Sequence, residues 1–494
     1  MKLFISGDIN LYYAQTLCMI FFPGAKFSEE EELTESSDVL SLSVVHSEDG
    51  VNAKAEMKSG GKQSVKEHFE PYREGVTKQR TAKIASGVAV VAAGKEIFSC
   101  TPPWGILTGV RPAKIAAEMA ASGKSYTEIR KILCSDYFLN PKKAGLLTDI
   151  AKKEAQIIKR TPSDSCSVYI SIPFCPTRCA YCSFVSYSTK RLLSMTDDYL
   201  TQLYHDIDRT FENIKRLGLN VKTVYVGGGT PTVLSPEQTH TLLEKINSHV
   251  DTSALSEFTF EAGRPDTVTA EKMKIIVDAG VTRVSVNPQT LNDMVLESIG
   301  RHHTTEDFYR AYDIARESGI KYINTDMIAG LPGESFSSFS RSVDEIIKLR
   351  PDNSTFHTFC VKKASDFLRN GTEVYSRTGG DTGKSVDYSQ VAAGNAGYVP
   401  YYIYRQKNTV GNFENVGYAL PGAEGLYNIY MMEEVHSVFA AGAGAVTKLV
   451  AKDHSTIKRI AMPKYPYEYL NAETYAKNIA DRDSFIEEFA KEHF

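Results

Sequence analysis

The run VYISIPFCPTRCAYCSF, residues 168–184, carries two signals at once. Its first five residues, VYISI, are apolar or aromatic apart from Ser171, as a buried strand requires. Three of the chain's eight cysteines, Cys175, Cys179 and Cys182, follow at C-x3-C-x2-C spacing. Pro173 and Pro176 flank Cys175; proline fixes φ and removes a donor, so the cysteines sit in a loop. Downstream the strand signal recurs in KTVYVGG (222–228), EFTFEAG (257–263), RVSVNPQ (283–289), YINTDMIAG (322–330) and NSTFHTFCVK (353–362). Helical patterning fills 196–218, 235–250, 269–280, 304–319 and 335–350. Ser235 with Gln238 forms a capping box and Thr304 caps the next helix with Asp307 in its first turn. Gly218 and Gly319 stand as helix stops.

Strands alternating with helices imply βαβ units and a parallel sheet. The expected fold class is α/β, with a partial (β/α)6 TIM-like barrel over residues 165–375. Chemistry in such barrels sits at the C-terminal ends of the strands. The unusual residues gather there: the Cys triplet after the first strand, Gly227-Gly228-Gly229 after the second, Glu261 in the third, Gln289 after the fourth and Asp326 in the fifth.

The flanks read differently. Residues 1–160 form an α/β and helical N-terminal region, with a capping box at Ser125 and Glu128 and a helix start at Asn140-Pro141. TPSDS (161–165) is a polar linker, SRTGGDTGKS (376–385) a second boundary, and 385–494 a smaller C-terminal module expected to cover a substrate. The net charge of −4 gives no push toward nucleic acid or anionic membranes. The apolar run TLCMIFF (16–22) falls far short of the ~20 residues of a membrane span. MKLFISGDIN lacks the apolar core of a secretory signal, so a cytoplasmic location is expected. The scattered cysteines (Cys18, Cys100, Cys134, Cys166, Cys360) read as small buried hydrophobes.

Three close thiolates can serve zinc, a disulfide or an iron–sulfur cluster. Structural zinc wants four ligands, usually as two pairs, and no second pair lies nearby. A disulfide leaves an odd thiol in a compartment where disulfides are rare. Three cysteines on a four-iron cluster leave one iron open to a cofactor, which is catalytically useful.

With its position after the first strand, the triplet resembles the signature of the radical S-adenosylmethionine (SAM) enzymes. YISIPFCPTRCAYCSF, VGGGTPT (226–232), FEAGRPD (260–266), RVSVNPQTLND (283–293) and NTDMIAGLPGE (324–334) resemble the oxygen-independent coproporphyrinogen III oxidases in order and spacing. PWGILTGVRP (103–112), YYIYRQKN (401–408) and ENVGYALPGAEGLYNIYMMEE (414–434) resemble the coproporphyrinogen dehydrogenase branch called HemZ. The resemblance implies a four-iron four-sulfur (4Fe-4S) cluster on Cys175, Cys179 and Cys182, and one or two SAM molecules. The open iron would bind the amino and carboxylate groups of SAM, which an electron then cleaves to a 5′-deoxyadenosyl radical. It implies that Tyr181 packs on the adenine and that Gly228, Gly229 and Thr230 hold the amino group. Tyr169 and Glu261 would contact the first cofactor, Gln289, Arg301 and Asp326 nucleoside groups, and Val446 a late apolar contact.

The implied reaction is oxidative decarboxylation of two propionates of coproporphyrinogen III to vinyls, giving protoporphyrinogen IX without oxygen. It needs an electron donor such as flavodoxin or ferredoxin, and an electron acceptor. Arg405 and Lys407 are candidates for the carboxylates of this tetrapyrrole, since Arg binds carboxylates bidentately, and the neighbouring tyrosines for its flat face. His302 and His303 are adjacent, so at most one faces the site. Phe184 stands where the decarboxylating oxidases commonly show another Cys; the Phe form is frequent in related haem chaperones. A haem-binding chaperone, or a radical enzyme acting on another tetrapyrrole, are the alternative readings.

Overall fold

Two sheets organise the computed structural model, which describes residues 1–27, 37–182, 186–360, 380–406 and 409–494. The N-terminal sheet joins β1 (Lys2–Ser6), β2 (Val39–His46), β3 (Gly50–Ser59) and β4 (Lys62–Pro71) in sequence order. Helix Lys78–Phe98, rich in alanine and glycine, lies on β3 and β4 because its small side chains let the helix approach the sheet closely. Helices Ala113–Ala121, Tyr126–Ser135 and Pro141–Ile158 follow, the second opening on the Ser125–Glu128 capping box and the third on Asn140-Pro141.

The barrel strands are β5 (Ser165–Ile172), β6 (Asn220–Gly228), β7 (Glu257–Glu261), β8 (Arg283–Ser285), β9 (Tyr322–Ala329) and β10 (Asn353–Thr358), all parallel. The five expected helices fall between them as Thr196–Arg216, Pro236–Asn247, Ala270–Asp278, Thr305–Glu317 and Phe336–Leu349. Gly218 and Gly319 end two of them in the left-handed region, at φ +64° and +80°. Strand β8 covers only Arg283–Ser285 of the run RVSVNPQ, and Gln289, at φ +66°, makes an isolated parallel bridge to Met327.

Side-chain alternation divides the barrel into an apolar outer face and a polar inner one. Val168, Ile170, Val224, Val226, Phe258, Phe260, Val284 and Ile323 face the helices, and all are buried. Each contributes about 1.5–3 kcal/mol by leaving water. Tyr169, Tyr225, Thr259, Glu261, Ser285, Asn324, Asp326, Thr355 and His357 alternate with them and line an internal cavity. The barrel therefore encloses a polar chamber, where a small closed barrel would be filled by branched apolar side chains.

The C-terminal residues do not form a separate module. β11 (Val399–Arg405) and β12 (Glu414–Ala419) extend the barrel sheet beyond β10. β13 (Val438–Ala441), β14 (Val446–Val450) and β15 (Ile457–Ala461) extend it beyond β5. The result is an 11-stranded sheet ending on β11 and β15. The expected boundary 376–385 is also displaced: helix Gly380–Asn395 begins inside it, and 376–379 lie outside the described residues.

Segment 104–111 of the N-terminal region spans the lateral gap between the two sheet edges. On the β11 side the Val110 carbonyl accepts from the Arg405 amide at 2.8 Å. On the β15 side Arg111 donates to the Met432 carbonyl (3.0 Å) and to Glu434, which also accepts from Arg459 of β15. The segment is anchored by Glu414, which accepts from Trp104 (2.7 Å), Lys143 (2.6 Å) and Gln390 (2.6 Å), with Trp104, Lys143 and Glu414 all buried. Removing one partner from such a buried ionic network costs about 3–5 kcal/mol. Glu414→Ala is expected to lose about that much stability in urea, with faster proteolysis at residues 104–111. Unchanged stability and protection would show that the segment is held by other contacts.

Candidate active site

The Cys loop is fixed at both ends by backbone bonds. Past β6, the Gly229 amide donates to the Ile172 carbonyl and the Thr230 amide to the Phe174 carbonyl, each at 2.7 Å. The Cys175 amide donates to Tyr187 (3.0 Å) and the Tyr187 amide to Pro173 (2.8 Å), closing the loop on itself. Its middle is held by the Ala180 amide on the Ile299 carbonyl (2.9 Å). Glycine is required where β6 ends. Gly228 has φ +112°, and a Cβ on Gly229 would lie 2.4 Å from the Phe174 carbonyl oxygen.

Two guanidiniums stand beside the thiols. Arg264 and Arg301 each approach the Cys179 sulfur at 4.0 Å. Arg264 is braced by Asp266 and donates to the Thr177 hydroxyl at 2.9 Å. Arg301 donates to the Gly263 (2.6 Å) and Asn287 (2.9 Å) carbonyls and to the Tyr181 hydroxyl (3.3 Å), while its Nε is buried without a partner. Burial pushes the Cys175 thiol up to about 11, against its hydrogen bond with Thr230. A bound metal reverses that preference by deprotonating the thiol outright. This donor set fits a four-iron cluster with one open iron: three thiols on one pinned loop, cations to offset the cluster's charge, and no further Cys or His in loop residues 173–187.

The loop faces a cavity of about 930 Å³. Tyr169, Tyr225 and Tyr427 stack within it, Tyr225 on Tyr427 at 4.5 Å between centroids. Glu261 accepts from the Tyr225 hydroxyl at 2.5 Å; burial, together with Asp326, pushes its carboxyl up to about 7 despite that bond. Burial also acts to raise Asp326, but His357, Asn324 and Thr355 outweigh it and hold the carboxyl low. Gln289 keeps its left-handed backbone because its amide donates to the Asp326 carbonyl (3.0 Å) and its carbonyl accepts from Ile328 (2.9 Å). Strain of this kind persists only where surrounding bonds over-determine it.

The cavity brings together the expected residues Cys175, Cys179, Cys182, Tyr169, Tyr181, Gly228, Gly229, Thr230, Glu261, Gln289, Arg301, Asp326 and Val446. Arg405 is a correction. Tyr402, Tyr404 and Gln406 face the cavity, so strand alternation turns Arg405 outward, where it is buried, lies over Trp104 (5.1 Å) and donates to the Leu107 and Asn412 carbonyls. Lys407 and Phe184 lie outside the described residues. His303 is buried beside Arg301 and Arg264, which with burial push it down to about 3; His302 is exposed, and neither lines the cavity. Sequence reasoning missed His357, Arg264, Asn287, Tyr427 and Arg111. His357 was accessible to it, as the next inward position after Asn353 and Thr355.

Against known proteins, the model of the radical SAM superfamily matches residues 169–346. The chain is 36% identical over 454 residues, 90% of each chain, to the oxygen-independent coproporphyrinogen-III oxidase-like protein HemZ of Bacillus subtilis. It is 31% identical to the heme chaperone HemW of the same organism, over 64% of this chain and 81% of that protein. Coproporphyrinogen III oxidase (HemN) from Escherichia coli shares the fold with TM-score 0.50 at 20% identity, over 65% of this chain and 72% of that one. Among the described residues no helix is long and apolar enough to cross a membrane.

Two outcomes are expected. Gly229→Ala should lose most of its iron and cluster absorbance on reconstitution while its far-UV circular dichroism is kept, since the added methyl displaces the Phe174 carbonyl; full iron uptake would contradict the loop geometry. Glu261 keeps its proton when folded after the unfolded chain has lost it, so its cost to stability grows from about pH 4.5 to about pH 7 and stays above. Glu261→Gln should therefore raise the thermal midpoint more at about pH 8 than at about pH 5; equal shifts would show a solvated carboxylate.

Proposed function

We propose, for a chain that belongs to the oxygen-independent coproporphyrinogen-III oxidase-like family within the radical SAM superfamily, that it oxidatively decarboxylates coproporphyrinogen III to protoporphyrinogen IX without oxygen. The observation that carries this reading is that one chamber holds both the Cys loop and a wall of flat tyrosines, Tyr401, Tyr402 and Tyr404. About 930 Å³ lies at the upper end of small-molecule sites, as a tetrapyrrole needs.

When bound, the 4Fe-4S cluster and SAM supply one-electron chemistry that removes a hydrogen atom from a substrate carbon. Cys175, Cys179 and Cys182 hold the cluster. The backbone at Gly228 and Gly229, bare of side chains, takes the amino group of SAM. Tyr181 and the apolar cluster of Val295, Leu296, Ile299, Ile328 and Phe359 give the adenine a dry face. Arg301 fixes the Tyr181 hydroxyl, and Asp326, held ionised by His357 and Asn324, accepts from nucleoside hydroxyls. Tyr402 and Tyr404, stacked 12° from parallel, offer a flat surface with polar tips to the macrocycle. Loss of carbon dioxide would leave an electron for an outside acceptor, and an external donor such as flavodoxin or ferredoxin would supply the electron the cluster needs.

The similarity to the heme chaperone HemW supports a second reading, haem binding without turnover. An anaerobic assay separates the two. Reconstituted protein, SAM, reductant, electron acceptor and coproporphyrinogen III are expected to give a product lacking two carboxyl groups, with matching 5′-deoxyadenosine, and Cys179→Ala to give neither. Unchanged porphyrinogen with stoichiometric haem binding would favour the chaperone. A product that gains mass or keeps every carboxylate would point to another tetrapyrrole reaction.

A further inference from the structure

The far end of the chamber from the Cys loop carries a second concentration of charge. Lys448 on β14 lies opposite Val438, which is level with Ser167 at the start of β5. The Cys loop begins after Ile172, ~17 Å along the strand at about 3.3 Å per residue. Lys448, Arg111 and Arg459 all line the cavity there. Two carboxylates stand near them: Glu434, which accepts from Arg111 and, at 2.7 Å, from Arg459, and its neighbour Glu433. Burial, with Glu434 beside it, raises Glu433 toward its neutral form despite Arg111, Lys114 and Lys448.

Lys448 is the residue out of balance. It is 7% exposed, and its ammonium donates to the Met431 carbonyl. Among the described residues no carboxylate lies within ion-pair distance of it. Burial, then Arg459 and Arg111, pull its pKa down to about 8 against the attraction of Glu434 and Glu433. A buried cation without a counter-ion is costly, and an arriving anion relieves the cost. Arg111 comes from the segment that fills the gap in the barrel wall, so the N-terminal region completes this end of the chamber.

We infer that Lys448, Arg111 and Arg459 form a carboxylate-binding subsite that anchors a non-reacting carboxylate arm of the substrate, remote from the Cys loop. This rests on the tetrapyrrole reading of the chamber. An anchor at this end sets the rotation of the macrocycle, and so which arm is presented to the Cys loop. It also gives residues 104–111 a role in substrate selection.

The test uses reconstituted full-length protein and the air-stable porphyrin coproporphyrin III, titrated by fluorescence quenching beside its tetramethyl ester. One charge-assisted hydrogen bond is worth roughly tenfold or more in affinity. Lys448→Met is expected to weaken coproporphyrin III by that factor and to leave the ester unchanged, while Lys448→Arg restores most of the affinity. Arg459→Met, whose side chain is half exposed, repeats the test should Lys448→Met fold poorly, as judged by circular dichroism and cluster absorbance. Coproporphyrin III bound equally by wild type and both Met variants would overturn the subsite and leave the decarboxylase reading standing. An equal loss for acid and ester would also overturn it, since the contact would not be to a carboxylate. A wild type that binds the ester but gains nothing from the acid would overturn it as well. A wild type that binds neither would overturn the tetrapyrrole reading, and the subsite with it.

Discussion

Two backbone hydrogen bonds, from Gly229 to Ile172 and from Thr230 to Phe174, set the geometry on which the site depends. They fasten the end of β6 to the start of the Cys loop, so the glycine backbone and the three thiols occupy one fixed corner of the chamber. Neither segment could hold that arrangement alone. The loop carries two prolines and little regular structure, and Gly228 sits in a backbone region closed to most residues. Their mutual bonding replaces the side-chain packing that a loop of this kind lacks. It also explains the third glycine, since any side chain at 229 meets the Phe174 carbonyl.

Around that corner the barrel inverts the usual use of its interior. The apolar faces of the strands go to the helices, and the inner faces keep their polar groups for the cavity. An interior of this kind is stable only if its charges are paired or hydrogen-bonded. Most are: Glu257 accepts from Arg283 and from the amides of Leu426 and Tyr427, and Asp326 is held by Asn324 and His357. Lys448, without an ion pair, and Arg301, whose Nε has no hydrogen-bond partner, both line the cavity, where a ligand can meet them.

Much of this was legible in the sequence. The βα rhythm, the helix caps and the three cysteines are local signals, and Glu261 and Asp326 stand out as charges in apolar strands. What was not legible depends on pairing between distant segments. Nothing local to residues 399–461 says that their strands add to both edges of the barrel sheet. Arg405 was misjudged for a related reason: the composition of YYIYRQKN does not say which face of β11 meets the cavity, and alternation with Tyr402 and Tyr404 puts Arg405 behind it. Arg111 lies in a phrase, PWGILTGVRP, that carries a family resemblance but no chemical signal of its own; only the fold brings it to Glu434 and the gap in the wall.

Everything at the site turns on the pinned Cys loop holding a cluster with one iron open to SAM. Electron paramagnetic resonance of the reduced, reconstituted protein, recorded with and without SAM, tests it most directly. SAM is expected to alter the g values and line shape of the cluster signal, as a ligand reaching the open iron would. A signal indifferent to saturating SAM would contradict it.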